Sequence, residues 1–282
     1  MKRKMFGMFV LFLGLIFYGF CSPAWAGIRI DKPKVRLAVK PGSYASDEIK
    51  VENTGKDSID IRVYLEDWVY TKSDGSKDFF PKGSTALSCA PWVTFYPADL
   101  KLDPGKAAMV RFTVNVPPDA KGGHYCVMFF ETGAGEIEQA DPDKGTSAYI
   151  RVLNRIASLF YVEAEGTVEK KAELRKLDIN QKMNDFIVRA EFANVGNTDI
   201  TAASTFDVLD ANGLVRLRGS FAEVFTFPGE KADLQGIVSS KNLESGSYSI
   251  LLTLDFEHGG SLIQEADFSV GPQGEIQELH LK

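Results

Sequence analysis

The sequence is poor in the residues on which most catalytic and metal sites depend. Its 282 residues include three histidines and three cysteines. His124, His258 and His280 do not form a readable nucleophile–base arrangement, and no phosphate loop, dinucleotide fingerprint or Gly-x-Ser-x-Gly motif is present. We therefore predict that the protein is not an enzyme and uses no cofactor.

Basic charge and long apolar runs are also scarce beyond the N-terminus. The formal net charge is −6, which disfavours nucleic-acid binding because phosphate contacts require concentrated Lys and Arg. No later run is apolar enough to cross a bilayer. The sequence therefore predicts a soluble mature chain without stable membrane insertion.

The N-terminus has the three parts of a secretory signal peptide. A basic start at residues 2–4 precedes the apolar run Met5–Phe20, and Ala24-Trp25-Ala26 supplies a small-x-small cleavage site. The run of about 16 residues is short for a membrane span, which needs roughly 20. We predict a cleaved signal peptide at 1–26 and export. A lipid anchor on Cys21 and an uncleaved N-terminal anchor are the alternatives.

The remaining chain contains a pattern that occurs twice. Each half carries a polar turn, a Pro-Gly turn and a Gly-x-Tyr sequence in the same order: NTGKDSI at 53–59 and NVGNTDI at 194–200, Pro104-Gly105 and Pro228-Gly229, and 123–125 and 246–248. Three matches in one order favour a repeated domain. We predict domains at 27–165 and 166–282, with the boundary in the charged stretch 163–171.

Short strands separated by turns dominate both halves. Ile49 and Val51 alternate with polar residues before the first repeated turn, and Phe186 and Val188 do so before the second, as is typical of half-buried strands. β-Branched and aromatic residues are enriched in four further runs, 109–116, 125–131, 249–256 and 263–270. The predicted fold is all-β, with two tandem immunoglobulin-like β-sandwich domains after the signal peptide.

Two cysteines remain after cleavage, Cys89 and Cys126. In an oxidising compartment such a pair most often forms a disulfide, which we predict here. The alternative is a copper site, since His124, Cys126 and Met128 alternate along one strand and present soft ligands on one face. Because residues 124–130 are apolar on both faces, core packing accounts for Met128 without a metal.

The run YIRVLNRIASLFYV, Tyr149–Val162, is the most informative stretch for function. This run is much longer than a typical strand, which has roughly five or six residues. One face carries Ile150, Val152, Ile156 and Phe160, interrupted by Asn154 and Ser158. The acidic, glycine-rich stretch 133–147 before it predicts a long mobile loop. Such a strand is either the ordinary last strand of its domain or a site where another chain adds a strand.

These features resemble the PapD-like periplasmic pilus-assembly chaperones, which have two immunoglobulin-like domains. The resemblance covers about residues 28–162. It rests on VEN at 51–53, Trp68, Gly75, LDPGK at 102–106 with Arg111, and Arg155-Ile156 leading to Leu159-Phe160-Tyr161. In that family the last strand of the first domain is lent to an incomplete pilin subunit. An arginine and a lysine hold the terminal carboxylate of that subunit.

The resemblance implies a partner-binding site on this chain. Lys34 stands at the position of the family's arginine, which keeps the charge but loses the bidentate fork. Neither Ala157 nor Ser158 is the expected lysine, and Arg155, on the same face as Ala157 at about 7 Å, is the nearest substitute. The implied partner-binding residues are Lys34, Ile150, Val152, Arg155, Ile156, Ser158 and Phe160.

Two classes of function follow from these patterns. The first is a periplasmic chaperone that caps a pilus subunit or other exported client by β-strand addition, with an outer-membrane usher as a further partner. The second half matches that family poorly, and the two-domain layout is also similar to the secreted WxL-interacting surface proteins. The second class is therefore a secreted or envelope scaffold that binds a surface partner or polymer.

Overall fold

The computed structural model describes residues 27–141, 146–239 and 243–282. The regular structure of this part is all strand apart from one 3-10 helix, Ala90–Trp92. The first ten strands are β1 Ile28–Ile30, β2 Lys34–Val39, β3 Tyr44–Asn53, β4 Ile59–Tyr70, β5 Lys77–Pro81, β6 Val93–Tyr96, β7 Asp99–Leu102, β8 Ala107–Asn115, β9 Gly122–Asp141 and β10 Thr146–Ala164. The next nine are β11 Ala172–Lys182, β12 Asp185–Asn194, β13 Ile200–Asp210, β14 Val215–Ser220, β15 Val224–Thr226, β16 Lys231–Ser239, β17 Gly246–Phe256, β18 Ser261–Val270 and β19 Ile276–Leu281. The prediction of an all-β fold is confirmed.

Strands β1 to β10 form a sandwich of two sheets. One sheet has the strand order β1-β3-β8-β6, and the other has the order β2-β10-β9-β4-β5, with β7 alongside the start of β4. The β2–β10 pair is parallel, whereas β10 and β9 are antiparallel. The two sheets enclose a core that includes Val51, Phe112, Phe130 and Phe160. The alternation seen in the sequence of β3 therefore marks its core face.

Strands β11 to β19 form a second sandwich. The sheet β11-β12-β16 packs on the sheet β14-β13-β17-β18-β19, with β15 alongside the start of β13. Their shared core includes Phe186, Val188, Phe206 and Leu252. The two predicted tandem sandwiches are confirmed.

The predictions for the N-terminus concern residues that lie outside the described part of the chain. This applies to the signal peptide at 1–26 and to the alternative lipid anchor on Cys21. Within the described ranges, no helix is long and apolar enough to cross a membrane.

The repeated polar turn makes the same hydrogen bonds in both sandwiches, which explains why the chain uses it twice. Asn53 is fully buried, and its Nδ2 donates to the carbonyl oxygens of Asp57 at 2.8 Å and Leu102 at 2.9 Å. Asn194 makes the corresponding pair of bonds at 2.9 and 3.4 Å. In both sandwiches the glycine of the Pro-Gly turn donates to the asparagine carbonyl at 2.9 Å. Each asparagine thus ties two turns together.

The Gly-x-Tyr match differs between the two halves. Tyr125 is 1% exposed and lies between the sandwiches, where its Oη accepts a hydrogen bond from the Asp199 N–H at 2.6 Å. Tyr248 is only partly buried and donates to the carbonyl oxygen of Glu244 at 2.9 Å. The match therefore reflects a repeated fold rather than a repeated role.

An aromatic layer joins the outer face of the β9-containing sheet to the second sandwich. This inter-sandwich cluster comprises Trp68, Tyr70, Tyr125, Tyr161 and Phe227. Phe227 belongs to the second sandwich and stacks on Tyr125, with ring centroids 4.0 Å apart and an interplanar angle of 14°. The middle of β9 is consequently buried on both faces, as its unbroken apolar sequence predicts.

Strands β9 and β10 continue beyond the rest of their sheet as a two-stranded ribbon. β9 pairs with β4 only from Val127 to Thr132, whereas it pairs with β10 from Gly122 to Asp141. The loop predicted at 133–147 is therefore wrong over 133–141 and 146–147, which are strand. Backbone pairing between the two strands stabilises an extended conformation that the glycine-rich composition alone does not favour.

Candidate functional site: the open edge of β10

Strand β10 has partners on both sides over its second half only. On one side it pairs with β9 along its whole length. On the other side it pairs with β2 from Leu159 to Ala164, and no described residue pairs with it before Leu159. The Ser158 Oγ marks the limit by donating to the Lys32 carbonyl oxygen at 2.7 Å. We call residues 152–157 the open edge, because an edge strand leaves a row of backbone groups without strand partners.

The backbone groups of Arg155 and Ala157 point away from β9. Successive residues of a strand direct their N–H and C=O groups to opposite sides. The Leu159 N–H donates to the Pro33 carbonyl oxygen, on the β2 side, at 2.9 Å. Residues two and four positions earlier therefore face the same side, beyond the end of β2. Arg155 offers its N–H and C=O there to a strand of another chain, and Ala157 offers its N–H.

The side chains on the apolar face of β10 are covered to different degrees. Phe160 and Ser158 are both 0% exposed, because β2 and the opposite sheet cover this part of the strand. Their side chains are closed to a partner in this conformation. Val152 and Ile156 are half-buried, and Ile156 packs at the margin of the core. The side chain of Ile150 lies outside the described residues.

Arg155 lies on the outer face of the sheet and is held there by its neighbours. Its Cζ is 4.1 Å from the ring centroid of Phe129 and 5.2 Å from that of Phe79. Its Nη1 donates to Glu66 Oε2 at 3.3 Å and to Tyr64 Oη at 3.5 Å. The hydrogen bond with Tyr64 is the main cause that raises the pKa of Arg155. Arg155 is therefore a fixed positive charge beside the open edge.

Lys34 lies at the start of β2 and is already engaged with the second sandwich. Its Nζ is 3.2 Å from Glu257 Oε2 and 5.0 Å above the ring of Tyr161. Lys34 pairs with Leu159, four positions along β10 from Arg155, which corresponds to about 13 Å. The charged group of Lys34 faces Glu257 in the second sandwich. That of Arg155 faces Glu66 in the first sandwich. A joint hold of Lys34 and Arg155 on one carboxylate stays a prediction.

Arg36 is a charged residue that the sequence pattern did not single out. It donates to both carboxylate oxygens of Asp199 in the second sandwich, at 3.1 and 2.8 Å, and to Glu163 at 3.4 Å. Its Cζ also lies 4.4 Å from the Tyr161 ring centroid. Burial lowers the pKa of Arg36, but the hydrogen bonds and charge of Asp199 outweigh burial and raise it. Arg36 and Asp199 thus form a half-buried ion pair between the sandwiches.

The two cysteines meet in the core of the first sandwich. Their Sγ atoms are 3.0 Å apart, and both residues are fully buried. A disulfide bond is about 2.05 Å long, so the structure holds two thiols in contact, and the disulfide between Cys89 and Cys126 stays a prediction. Burial raises the pKa of the Cys89 thiol.

Two of the alternative copper ligands, Cys126 and Met128, are fully buried in the core of the first sandwich. Met128 is packed in the core, and the His124 ring lies 4.2 Å from the ring of Trp92. No group of three or more His, Cys, Asp or Glu residues in the described ranges is placed to hold a metal ion.

Comparisons with known proteins give matches in structure only. No protein-family model matches the sequence, and no curated protein matches it. Similar solved structures include the class 5 fimbriae chaperone CfaA, at 16% identity over 85% of this chain and 98% of that chain, with a TM-score of 0.47. A chaperone–tip adhesin complex of CFA/I fimbriae biogenesis has 15% identity, the same coverage and a TM-score of 0.47. The CsuC–CsuE chaperone–tip adhesion subunit pre-assembly complex of Acinetobacter baumannii has 11% identity, the same coverage and a TM-score of 0.43. These are similarities of fold alone, at 11–16% sequence identity.

Proposed function

We propose that this protein is a periplasmic chaperone-like protein that caps a pilus subunit or other exported client by β-strand addition at the open edge of β10. The observation that carries the proposal is the edge itself. Over residues 152–157 the backbone lacks a second strand partner in the described part of the chain, while Ile156 continues the apolar face that packs in the core. Such an edge is a template for another strand.

The energetics indicate what a client must contribute. The outward N–H and C=O of Arg155 and the outward N–H of Ala157 permit three main-chain hydrogen bonds, each contributing about 0.5–1.5 kcal/mol net. Micromolar affinity requires about 8 kcal/mol, and association itself has an entropic cost. Burial of apolar side chains must therefore supply much of the affinity. Leu153, which is 48% exposed, and the half-buried Val152 and Ile156 are the described side chains that a client would cover.

The decisive experiment removes one outward backbone donor. The Ala157 N–H faces the vacant side of the edge, and a proline is tolerated at such an edge position. We expect Ala157→Pro to retain its melting temperature but to lose capture of the client from an extract of the native cell envelope. Capture is measured by immobilising the mature protein and identifying the bound chains by mass spectrometry.

A neighbouring position supplies the matched control. The N–H of Ile156 points towards β9, so Ile156→Pro removes a hydrogen bond inside the sheet and is expected to lower the melting temperature strongly. Equal capture of the same client by wild type and Ala157→Pro would refute strand addition at this edge.

The lifetime of the complex separates the two classes of function. A chaperone releases its client, so the complex should be transient and absent from the finished assembly. An outer-membrane usher should bind this complex. A partner that remains attached in the mature structure would favour the envelope scaffold instead. Fractionation of the tagged mature protein would test the periplasmic location that the N-terminal sequence predicts.

A further inference from the structure

A backward continuation of β2 would place the preceding part of the chain, including β1, along the open edge. β2 pairs with β10 in parallel from Lys34↔Leu159 onwards, and β1 lies just before β2 in the chain. If the same register continued backwards, Pro33 would lie beside Ser158, Asp31 beside Ile156 and Ile30 beside Arg155. The chain instead leaves β10 at this point, and β1 pairs with β3 in the opposite sheet.

The alternation of core-facing and outward residues shifts by one position between β1 and β2, where the chain passes from one sheet to the other. In β2 the odd-numbered residues Val35 and Val39 face the core together with Phe160. A continued register would keep odd-numbered residues inward, which would place the Asp31 carboxylate in the core and expose the isoleucines of β1. In the structure Ile28 is only 7% exposed and faces the core from β3's sheet. The alternation of apolar residues in β1 thus suits pairing with β3 and does not suit pairing with β10.

Pro33 removes the first hydrogen bond that a continued strand would need. In a parallel ladder paired as Leu159↔Lys34, the Ala157 carbonyl oxygen would accept from the N–H of residue 33. Proline has no N–H. The ladder therefore cannot extend past Leu159 without leaving the Ala157 carbonyl unpaired.

Polar contacts also hold this segment against β3. Asp31 Oδ1 accepts from the Lys50 N–H at 2.8 Å, which fixes the chain just after β1. Two ion pairs flank this contact: Arg29 with Glu52 at 2.7 Å and Lys32 with Asp47 at 2.6 Å. The same residues that would be unfavourable beside β10 are thus partnered beside β3.

We infer that the sequence of residues 27–33 prevents the chain's own strand from pairing with the open edge. A client strand then pairs with the open edge of β10, in line with β2 and before its first residue. The client strand then continues the alternation of β2, in which Val35 and Val39 face the core. One apolar client side chain lies beside Ile156, and every second client residue faces outward. The identity of the occupant rests on the proposed function. The exclusion of the chain's own strand rests on the register, on Pro33 and on the shift of the alternation.

Two isosteric triple variants test the inference. Arg29→Val/Asp31→Val/Pro33→Thr restores the missing N–H and makes the inward positions apolar. Arg29→Thr/Asp31→Thr/Pro33→Thr restores the N–H but leaves those positions polar. Hydrogen exchange of the Arg155 and Ala157 amides is measured in each free protein. We expect fast exchange in wild type and in the threonine variant, and at least tenfold slower exchange in the valine variant because its own strand covers the edge.

The outcomes separate this inference from the proposed function. Slow exchange of both amides in wild type, or equal exchange in the two variants, would overturn the inference, and neither measurement needs a client. If the valine variant does not fold, Asp31→Val/Pro33→Thr is compared with Asp31→Thr/Pro33→Thr in the same way. Slow exchange in the valine variant, together with a wild type that captures no extended client, would support the exclusion of the chain's own strand. The same result would refute the chaperone proposal.

Discussion

Replacing Phe227 by alanine tests whether the inter-sandwich cluster makes the two sandwiches unfold as one unit. The Phe227 side chain is 4% exposed, and its ring centroid lies 4.0 Å from Tyr125, 4.8 Å from Tyr70 and 5.0 Å from Trp68. Truncating a buried phenylalanine costs about 3–5 kcal/mol, and each aromatic pair contributes about 0.5–1.5 kcal/mol beyond its buried area. All three neighbouring rings belong to the first sandwich. The loss therefore falls mainly on the coupling between the sandwiches.

Scanning calorimetry is the assay for this coupling. We expect one unfolding transition in wild type and two resolved transitions in Phe227→Ala. Phe206→Ala is the matched control, because Phe206 is 1% exposed in the core of the second sandwich. It should lower the stability of that sandwich by a similar amount without comparable loss at the interface. Two transitions already present in wild type, or a change under about 1 kcal/mol in Phe227→Ala, would refute the coupling.

The remaining predictions concern the core and its titratable groups. Asn53→Ala and Asn194→Ala should each lower the free energy of unfolding by about 1–3 kcal/mol in urea titrations, because each leaves buried backbone groups unpaired; a loss at one site only would contradict their equivalence. Burial lowers the pKa of His124, so stability should be complete above about pH 6.5 and decrease below it as the unfolded chain takes up the proton, whereas His124→Gln should flatten this dependence. If Cys89 and Cys126 are joined, the exported protein should be two hydrogens lighter than its reduced form and lose about 3–4 kcal/mol on reduction; two free thiols after export would contradict the disulfide.

The strands and the repeated turns could be predicted because their causes are local. Alternation of Ile49 and Val51 with polar residues reports one core face of one strand, and no distant contact is needed to recognise it. Asn53 and Asn194 stand in sequences that favour tight turns, since a short amide side chain bonds to nearby backbone. The structure adds that each amide also reaches a second turn, about fifty positions away for Asn53, as its hydrogen bond to Leu102 shows.

The site could be predicted only in part because its limits depend on distant segments. The apolar face of β10 is visible in the sequence, but which of its residues remain accessible depends on where β2 ends. Phe160 and Ile156 look alike in the pattern, yet β2 covers the first and not the second. Arg36 and Asp199 are 163 positions apart and meet only because the sandwiches pack together. Nothing in either local sequence reports that contact.

The burial of β9 on both faces has a consequence for how the chain tolerates variation. Each residue from Tyr125 to Phe130 is at most 2% exposed, with alternate side chains in the core and on the side of the aromatic layer. A strand with one solvent-exposed face tolerates substitution at every second position, whereas this six-residue run has no exposed position. Across a library of single substitutions it should be the most intolerant stretch of the first sandwich, and neutral drift should concentrate in the polar outer positions of β3 and β8.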